Sequence, residues 1–350
     1  MAIDPDFGKG GRLHLVWLKA TSDPPLGAFG PPPNPILTAY SDDGGRTFSD
    51  PVQVSDPARS LVVAPAMAIG RDHRLHVAYY DLKEDAVDYQ GLEGPVWEGT
   101  WSIVLSTSDP EASRFKHSVA EASVAPPERV MLIFTMAPPA LAVRNDHVCL
   151  AWPDARRGDP DVMSRCSSDR GDNWAPPRRL NDDRVGNGLN QLMPRLSFAP
   201  TGRLDAIFYD RRRHPSNVLN HVFLTFSTDG GRQWAPNKRL TSHASSSNVG
   251  PQYANPSAQG KVEFGSRLGL LSGPRGLVAA WADTRNSSPT GTGQDVFTTI
   301  VHIRGTSNSR TNLVVGGAGL IVLGALTVLA ARRRSTRIPE PPATSGTGAE

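Results

Sequence analysis

Three short segments of the chain repeat one pattern. They read Ser41-Asp42-Asp43-Gly44-Gly45-Arg46-Thr47-Phe48, Ser167-Ser168-Asp169-Arg170-Gly171-Asp172-Asn173-Trp174 and Ser227-Thr228-Asp229-Gly230-Gly231-Arg232-Gln233-Trp234. The shared form is Ser-x-Asp-x-Gly-x-(Thr/Asn/Gln)-(Trp/Phe). Each copy lies between an apolar run and a short strand-like piece, so each is expected to join two strands of a hairpin. The Asp carboxylate can accept backbone N–H groups of its own turn. The Gly can take a positive φ at little steric cost. The closing aromatic can anchor the turn on a neighbouring layer. A turn repeated at long period implies repeated structural units.

The second and third copies start 60 residues apart and the first and second 126 apart, about two periods. A worn copy is expected between them, at Ser106 to Phe115. A second landmark gives the same count. An apolar strand ending in an aromatic occurs five times: Leu13 to Trp17, Leu75 to Tyr80, Val148 to Trp152, Leu204 to Tyr209 and Leu277 to Trp281. A weaker strand precedes each, so the unit reads strand, strand, loop, strand, turn, strand. Regular short strands with Gly and Pro punctuation, and no sustained helical period before residue 313, predict an all-β chain. Four-stranded units repeated radially make a β-propeller of four-stranded blades. Five blades are visible over residues 1–305. The last has Leu268 to Leu271, Leu277 to Trp281 and Val296 to His302 and no evident fourth strand. The expectation is therefore a natural chain that begins further upstream.

Leu313 to Ala331 is 19 residues without a charge, followed by Arg332, Arg333, Arg334 and Arg337. That length suits a transmembrane helix and the basic cluster marks its cytoplasmic end. The expected organisation is the propeller over 1–305 outside the cell, a linker at 306–312, the helix at 313–331 and a disordered inner tail at 332–350. Met1 to Asp6 shows no signal-peptide pattern, which again points to missing upstream sequence. The span carries no Gly pair spaced for helix dimerisation, so a monomer is expected.

Of the net charge of +3, the tail supplies +2 through four Arg and two Glu, leaving +1 for the rest. No basic stripe indicates a nucleic-acid partner. Nothing in the sequence requires a cofactor, and the His and Cys residues form no metal-ligand spacing. The two cysteines, Cys149 and Cys166, fall in successive strands of one blade. A disulfide and a pair of buried thiols both stay open.

The loops after the five landmark strands begin with an acidic-x-basic signature in four units. It reads Asp81-Leu82-Lys83, Asp154-Ala155-Arg156, Asp210-Arg211-Arg212 and Asp283-Thr284-Arg285. Arg can grip a carboxylate bidentately and Asp can accept sugar hydroxyl protons, so these are ligand-binding candidates. A group repeated in every unit equally suits one structural job, an Asp–Arg pair capping each strand end. Two of these loops, Thr21 to Asn34 and Leu82 to Trp101, are long, and long loops commonly carry function.

The turn pattern, with its aspartates Asp43, Asp169 and Asp229, resembles the Asp box of the sialidase-like (BNR repeat) β-propellers. The resemblance implies six blades in all, and boxes that are structural and lie away from the ligand. It also implies a sialidase-type glycoside hydrolase acting on acidic glycans, with three arginines, a Tyr nucleophile, a Glu partner and an Asp acid/base. This chain departs from that set. Arg337-Ile338-Pro339 spells the family's arginine element but lies past the apolar run. Where related propellers open their last blade with Gly-Asp-Tyr, this chain has Gly265-Ser266-Arg267, so Arg267 joins the ligand-binding candidates. Tyr253 and Glu263 are the nearest nucleophile and base candidates. Two functions remain open: a glycosidase, or a non-catalytic module binding a glycan or protein at the cell surface.

Overall fold

The computed structural model describes residues 1–8, 10–19, 33–83, 99–126, 137–249, 268–287, 293–304 and 312–315. These residues form an all-β structure of five antiparallel sheets, consistent with a propeller-like arrangement. The first sheet comprises β1 (Ala2–Asp4), β2 (Arg12–Leu18), β3 (Ile36–Ser41) and β4 (Val52–Gln53). The second comprises β5 (Val62–Ile69), β6 (Leu75–Asp81), β7 (Trp101–Ser108) and β8 (Phe115–Val124). The third holds β9 (Ala140–Arg144), β10 (His147–Asp154), β11 (Asp161–Ser167) and β12 (Arg178–Arg179). The fourth holds β13 (Gln191–Phe198), β14 (Leu204–Asp210), β15 (Leu219–Ser227) and β16 (Lys238–Arg239), with β17 (Ser245–Ser246) paired to β15. The fifth holds β18 (Gly269–Gly273), β19 (Gly276–Asp283), β20 (Asp295–Arg304) and β21 (Asn312–Val315). Within every sheet the strands follow chain order, as the strand, strand, loop, strand, turn, strand reading requires.

Each sheet packs on the next. Val54, Val62, Val77 and Tyr79 fill the space between the first and second sheets. Trp101, Leu105, Trp152 and Met163 fill the second-to-third interface. Cys149, Val162, Phe208 and Phe223 fill the third-to-fourth. Tyr209, Leu224, Trp281 and Phe297 fill the fourth-to-fifth. The landmark strands β6, β10 and β14 are buried on both faces along most of their length. A strand covered by a sheet on either side gains apolar contact from both, which explains their continuous apolar sequence.

The fifth sheet corrects two expectations. It is not short of a fourth strand: Asn312–Val315 pairs with β20, with Val315 opposite Val301. The uncharged run from Leu313 therefore spends its first three residues in a sheet, and Asn312 is strand, not linker. The remainder of that run and the tail lie outside the described residues. Among the described residues no helix is long and apolar enough to cross a membrane.

The turn segments sit where the pattern predicts. In the first, Ser41 Oγ and the N–H groups of Arg46 and Thr47 donate to Asp43, and Gly45 N–H donates to Ser41 Oγ. Ser167 with Asp169 and Ser227 with Asp229 repeat this pattern. The worn copy keeps part of it, since Asp109 accepts Ser113 N–H and its hydroxyl, each at 2.7 Å. Gly171 and Gly231 have φ of +93° and +86°, and a Cβ at either would collide with Leu105 or with Cys166 Sγ of the preceding sheet. Trp174 and Trp234 pack against that preceding sheet. Phe48, in the first sheet, is 43% exposed.

Cys149 and Cys166 are direct cross-strand partners in β10 and β11 and form a disulfide. This settles the choice left open by the sequence.

Candidate functional site: a polar network at the loop-bearing end

The register places the two kinds of motif at opposite ends of the sheets. In the third sheet Asp154 faces Asp161 at one end, and Val148 faces Ser167 of the turn at the other. The fourth sheet repeats this with Asp210–His221 and Leu204–Ser227. The acidic-x-basic signatures therefore lie at one end of these sheets, and the Ser-x-Asp turns occupy the other.

At the loop-bearing end the signatures are closed pairs. Asp154, Asp210 and Asp283 are buried, and each holds the Arg two residues on at 2.6–2.7 Å. Trp152 and Trp281 donate their indole N–H to Asp154 and Asp283 at 3.1 and 3.0 Å. Arg212 lies over the Phe223 ring and Arg285 over Phe297, 4.5 and 4.1 Å from the ring centres. Burial pushes the Asp210 carboxyl above its ordinary range despite Arg212. At Asp283 burial opposes ionisation, but bonds from Arg285 and Trp281 outweigh it and hold the group below its ordinary range. Asp81 departs from the pattern: Arg59 pairs with it, while Lys83 donates to the Ala122 carbonyl at 2.7 Å. Locked ion pairs with ring stacking fit the strand-capping role that the repetition allowed. Tyr253, Glu263 and Arg267 lie outside the described residues.

A larger network joins the third and fourth sheets at the same end. Its centre is Asp161, at the start of β11 and 1% exposed. Arg179 of β12 donates from Nε to Asp161 Oδ1 at 2.6 Å and from its terminal nitrogen to Asp183 at 2.9 Å. Asn181 Nδ2 lies 2.7 Å from Asp161 Oδ1, Asp183 Oδ1 and Gln191 Oε1. Asn187 and Gln191 donate to Asp183 Oδ2 at 2.7 and 3.1 Å. Asp159 accepts Leu189 N–H at 3.1 Å. Arg212 connects the fourth sheet, reaching Asp182 at 2.5 Å as well as its own Asp210. Two buried acceptors, Asp159 Oδ1 and Asp161 Oδ2, have no hydrogen-bond partner in the protein. Leaving a buried acceptor unpaired costs about 1–3 kcal/mol, and structures rarely tolerate it without a ligand or ordered water.

A cavity of about 340 Å³ lies on the third sheet, lined by Asp154, Arg156, Arg157, Met163 and Pro177. Glu121 of β8 borders it through Arg156 and Arg165, each at 3.5 Å. Among the described residues no group of His, Cys, Asp or Glu is placed to hold a metal ion. Asp159, Asp161, Arg179, Asn181, Asp183 and Gln191 were not singled out by sequence reasoning. They come from two loops and three strands, and only the sheet register brings Asp161 against Arg179 and Asn181.

No family model matches the chain and no curated protein matches it in sequence. Solved structures align with it over most of its length. An α-L-arabinanase from Penicillium chrysogenum aligns at 14% identity and a TM-score of 0.46, over 87% of this chain and 90% of that one. An α-L-arabinofuranosidase from Fusarium graminearum aligns at 12% identity and 0.47, over 91% of each chain. An intramolecular trans-sialidase from Ruminococcus gnavus aligns at 12% and 0.44, over 81% and 76%. Likeness at this level leaves function to the chain's own residues.

Proposed function

We propose that this chain is a cell-surface, sialidase-like propeller that binds glycans at its loop-bearing end. The observation that carries this reading is the pair of buried acceptors, Asp159 Oδ1 and Asp161 Oδ2, inside an otherwise satisfied network. Sugar hydroxyls are donors; Arg179 and Asn181 orient the Asp161 carboxylate and the Leu189 N–H orients that of Asp159, and each keeps an oxygen to receive them. The flanking amides Asn187 and Gln191 supply both donors and acceptors, the mixture a polyol requires. A disulfide inside the third sheet supports an oxidising compartment. The apolar run after β21, ending in Arg332, Arg333 and Arg334, supports anchoring in a membrane with the sheets outside.

A second reading is hydrolysis. Two carboxylates, Asp159 and Asp161, lie in one buried network, and glycosidases of most kinds use a carboxylate pair. One experiment separates the readings. The full chain in detergent is presented to an array of sialylated, uronic and arabinose-containing oligosaccharides, and the retained glycans are then assayed for cleavage. Retention without cleavage is expected for the binding module, and retention with release of sugar for the hydrolase. No retention of any glycan would remove both.

A further inference from the structure

The third and fourth sheets carry the same polar frame, 60 residues apart, with different charges. Arg179 and Arg239 hold one register position, opposite Met163 and Phe223. Asn181 accepts the Val162 N–H, and Thr241 accepts that of Val222. Asp161 and His221 face Asp154 and Asp210 at the sheet ends. By the same spacing Asp182 corresponds to Ser242, and Asp183 to His243. The carboxylates of Asp161, Asp182 and Asp183 are thus replaced by two imidazoles and a hydroxyl, while the arginine is kept.

The arginine that reaches across from the next sheet is kept as well. Arg212 of the fourth sheet pairs with Asp182 and lies 3.7 Å from Asp183 Oδ1, which Arg179 holds at 2.9 Å. Arg285 of the fifth sheet is its counterpart. Each pairs with the buried Asp two residues earlier and lies over a ring, Phe223 for Arg212 and Phe297 for Arg285. Where Arg212 meets carboxylates, Arg285 donates to Ser242 Oγ and His243 Nδ1, each at 3.4 Å. Its Nε is buried without a partner, as is His214 Nε2. Arg179 has two carboxylate partners, whereas the exposed Arg239 has no ion pair among the described residues. Burial, then the charges of Arg239, His214 and Arg213, push His221 down to about 4, and those neighbours are all basic. An uncompensated group of cations draws an anion, and guanidinium groups match oxyanions best.

We infer that the junction of the fourth and fifth sheets binds a tetrahedral oxyanion, a phosphate or sulfate group, between Arg239 and Arg285 beside Ser242 and His243. It takes the place that the Asp183 carboxylate fills in the preceding junction. Three or more oxygens on one centre suit donors that arrive from two sheets and a loop, while a carboxylate offers two. This site is separate from Asp159 and Asp161 and does not depend on glycan binding there.

The test is calorimetric titration of phosphate, sulfate and acetate into the full chain in detergent, at matched ionic strength. Phosphate or sulfate is expected to bind about tenfold more tightly than acetate, and Arg239→Gln to lose about tenfold or more of that affinity. His243→Asp restores the carboxylate of the preceding junction and is expected to abolish binding with no loss of melting temperature. Arg232→Gln, exposed on the turn at the far end of the fourth sheet, is the control and should bind as the native chain does. A sugar phosphate and a sugar sulfate are titrated alongside. Tighter binding of either than of the free ion supports the site and assigns the oxyanion to a larger ligand; equal binding supports it with the free ion as ligand. No binding of phosphate or sulfate in any form overturns the inference. So does affinity unchanged in Arg239→Gln or in His243→Asp, or lost equally in Arg232→Gln. Acetate bound as tightly as phosphate and sulfate overturns the tetrahedral assignment.

Discussion

At the scale of single residues, the turn aspartates and a buried histidine set the chain's response to pH. Bonds from Ser167, then Asn173, hold the Asp169 carboxyl down to about 2. Its folded-state pKa lies below its unfolded value, so its contribution is present above the ordinary carboxylate range and is lost as pH falls toward 2. Asp169→Asn is therefore expected to lower the melting temperature at pH 7, and the gap from the native chain should close near pH 2. His76 behaves in the opposite chemical sense with the same direction of pH response. Burial lowers its pKa to about 4, while the unfolded chain protonates near 6.5. The unfolded state thus takes up the proton first, and stability on the order of 3 kcal/mol is lost as pH falls from 6.5 to 4. Melting curves across that range should show the loss, and His76→Gln should flatten it.

At the scale of elements, two devices tie strands and sheets together. Arg203 and Asp205 form a buried pair, and Arg203 also donates to the Gly273 and Gly276 carbonyls of the fifth sheet. Arg203→Ala would leave a buried carboxylate unpaired, at a cost of about 3–5 kcal/mol measured by denaturant unfolding. The Cys149–Cys166 disulfide closes a separation of 17 residues. Its removal by Cys149→Ser with Cys166→Ser is expected to destabilise by about 3 kcal/mol. These elements also show what the sequence revealed. The turns were legible because their bonds span at most four residues, so the whole unit is visible in one short pattern. The strands were legible because burial on both faces demands unbroken apolar runs. The fourth strand of the last sheet was not, because Leu313 to Val315 reads as the opening of a longer uncharged segment. The Asp161 network was not legible either. Its bonds join positions such as Arg179 and Asp161, or Arg212 and Asp182, that are 18 and 30 residues apart, and only the sheet register brings them together.

At the scale of the whole molecule, the chain sorts its chemistry to two ends. Repeated turns fasten one end of the first, third and fourth sheets, with a partial copy in the second, and paired charges occupy the other end. Within that second end the acidic-x-basic pairs are closed, while Asp159 and Asp161 each keep an acceptor open. Asp159 has no ion-pair partner among the described residues, and its other oxygen accepts a backbone N–H that an amide can also satisfy. The most direct test of glycan binding is calorimetric titration of a retained oligosaccharide into the native chain and into Asp159→Asn. A hydroxyl bonded to a charged acceptor contributes about 1.5–3 kcal/mol, so the variant should bind about tenfold to a hundredfold more weakly. Its melting temperature should be unchanged or higher. Equal affinity of the two proteins for the oligosaccharide would contradict the account.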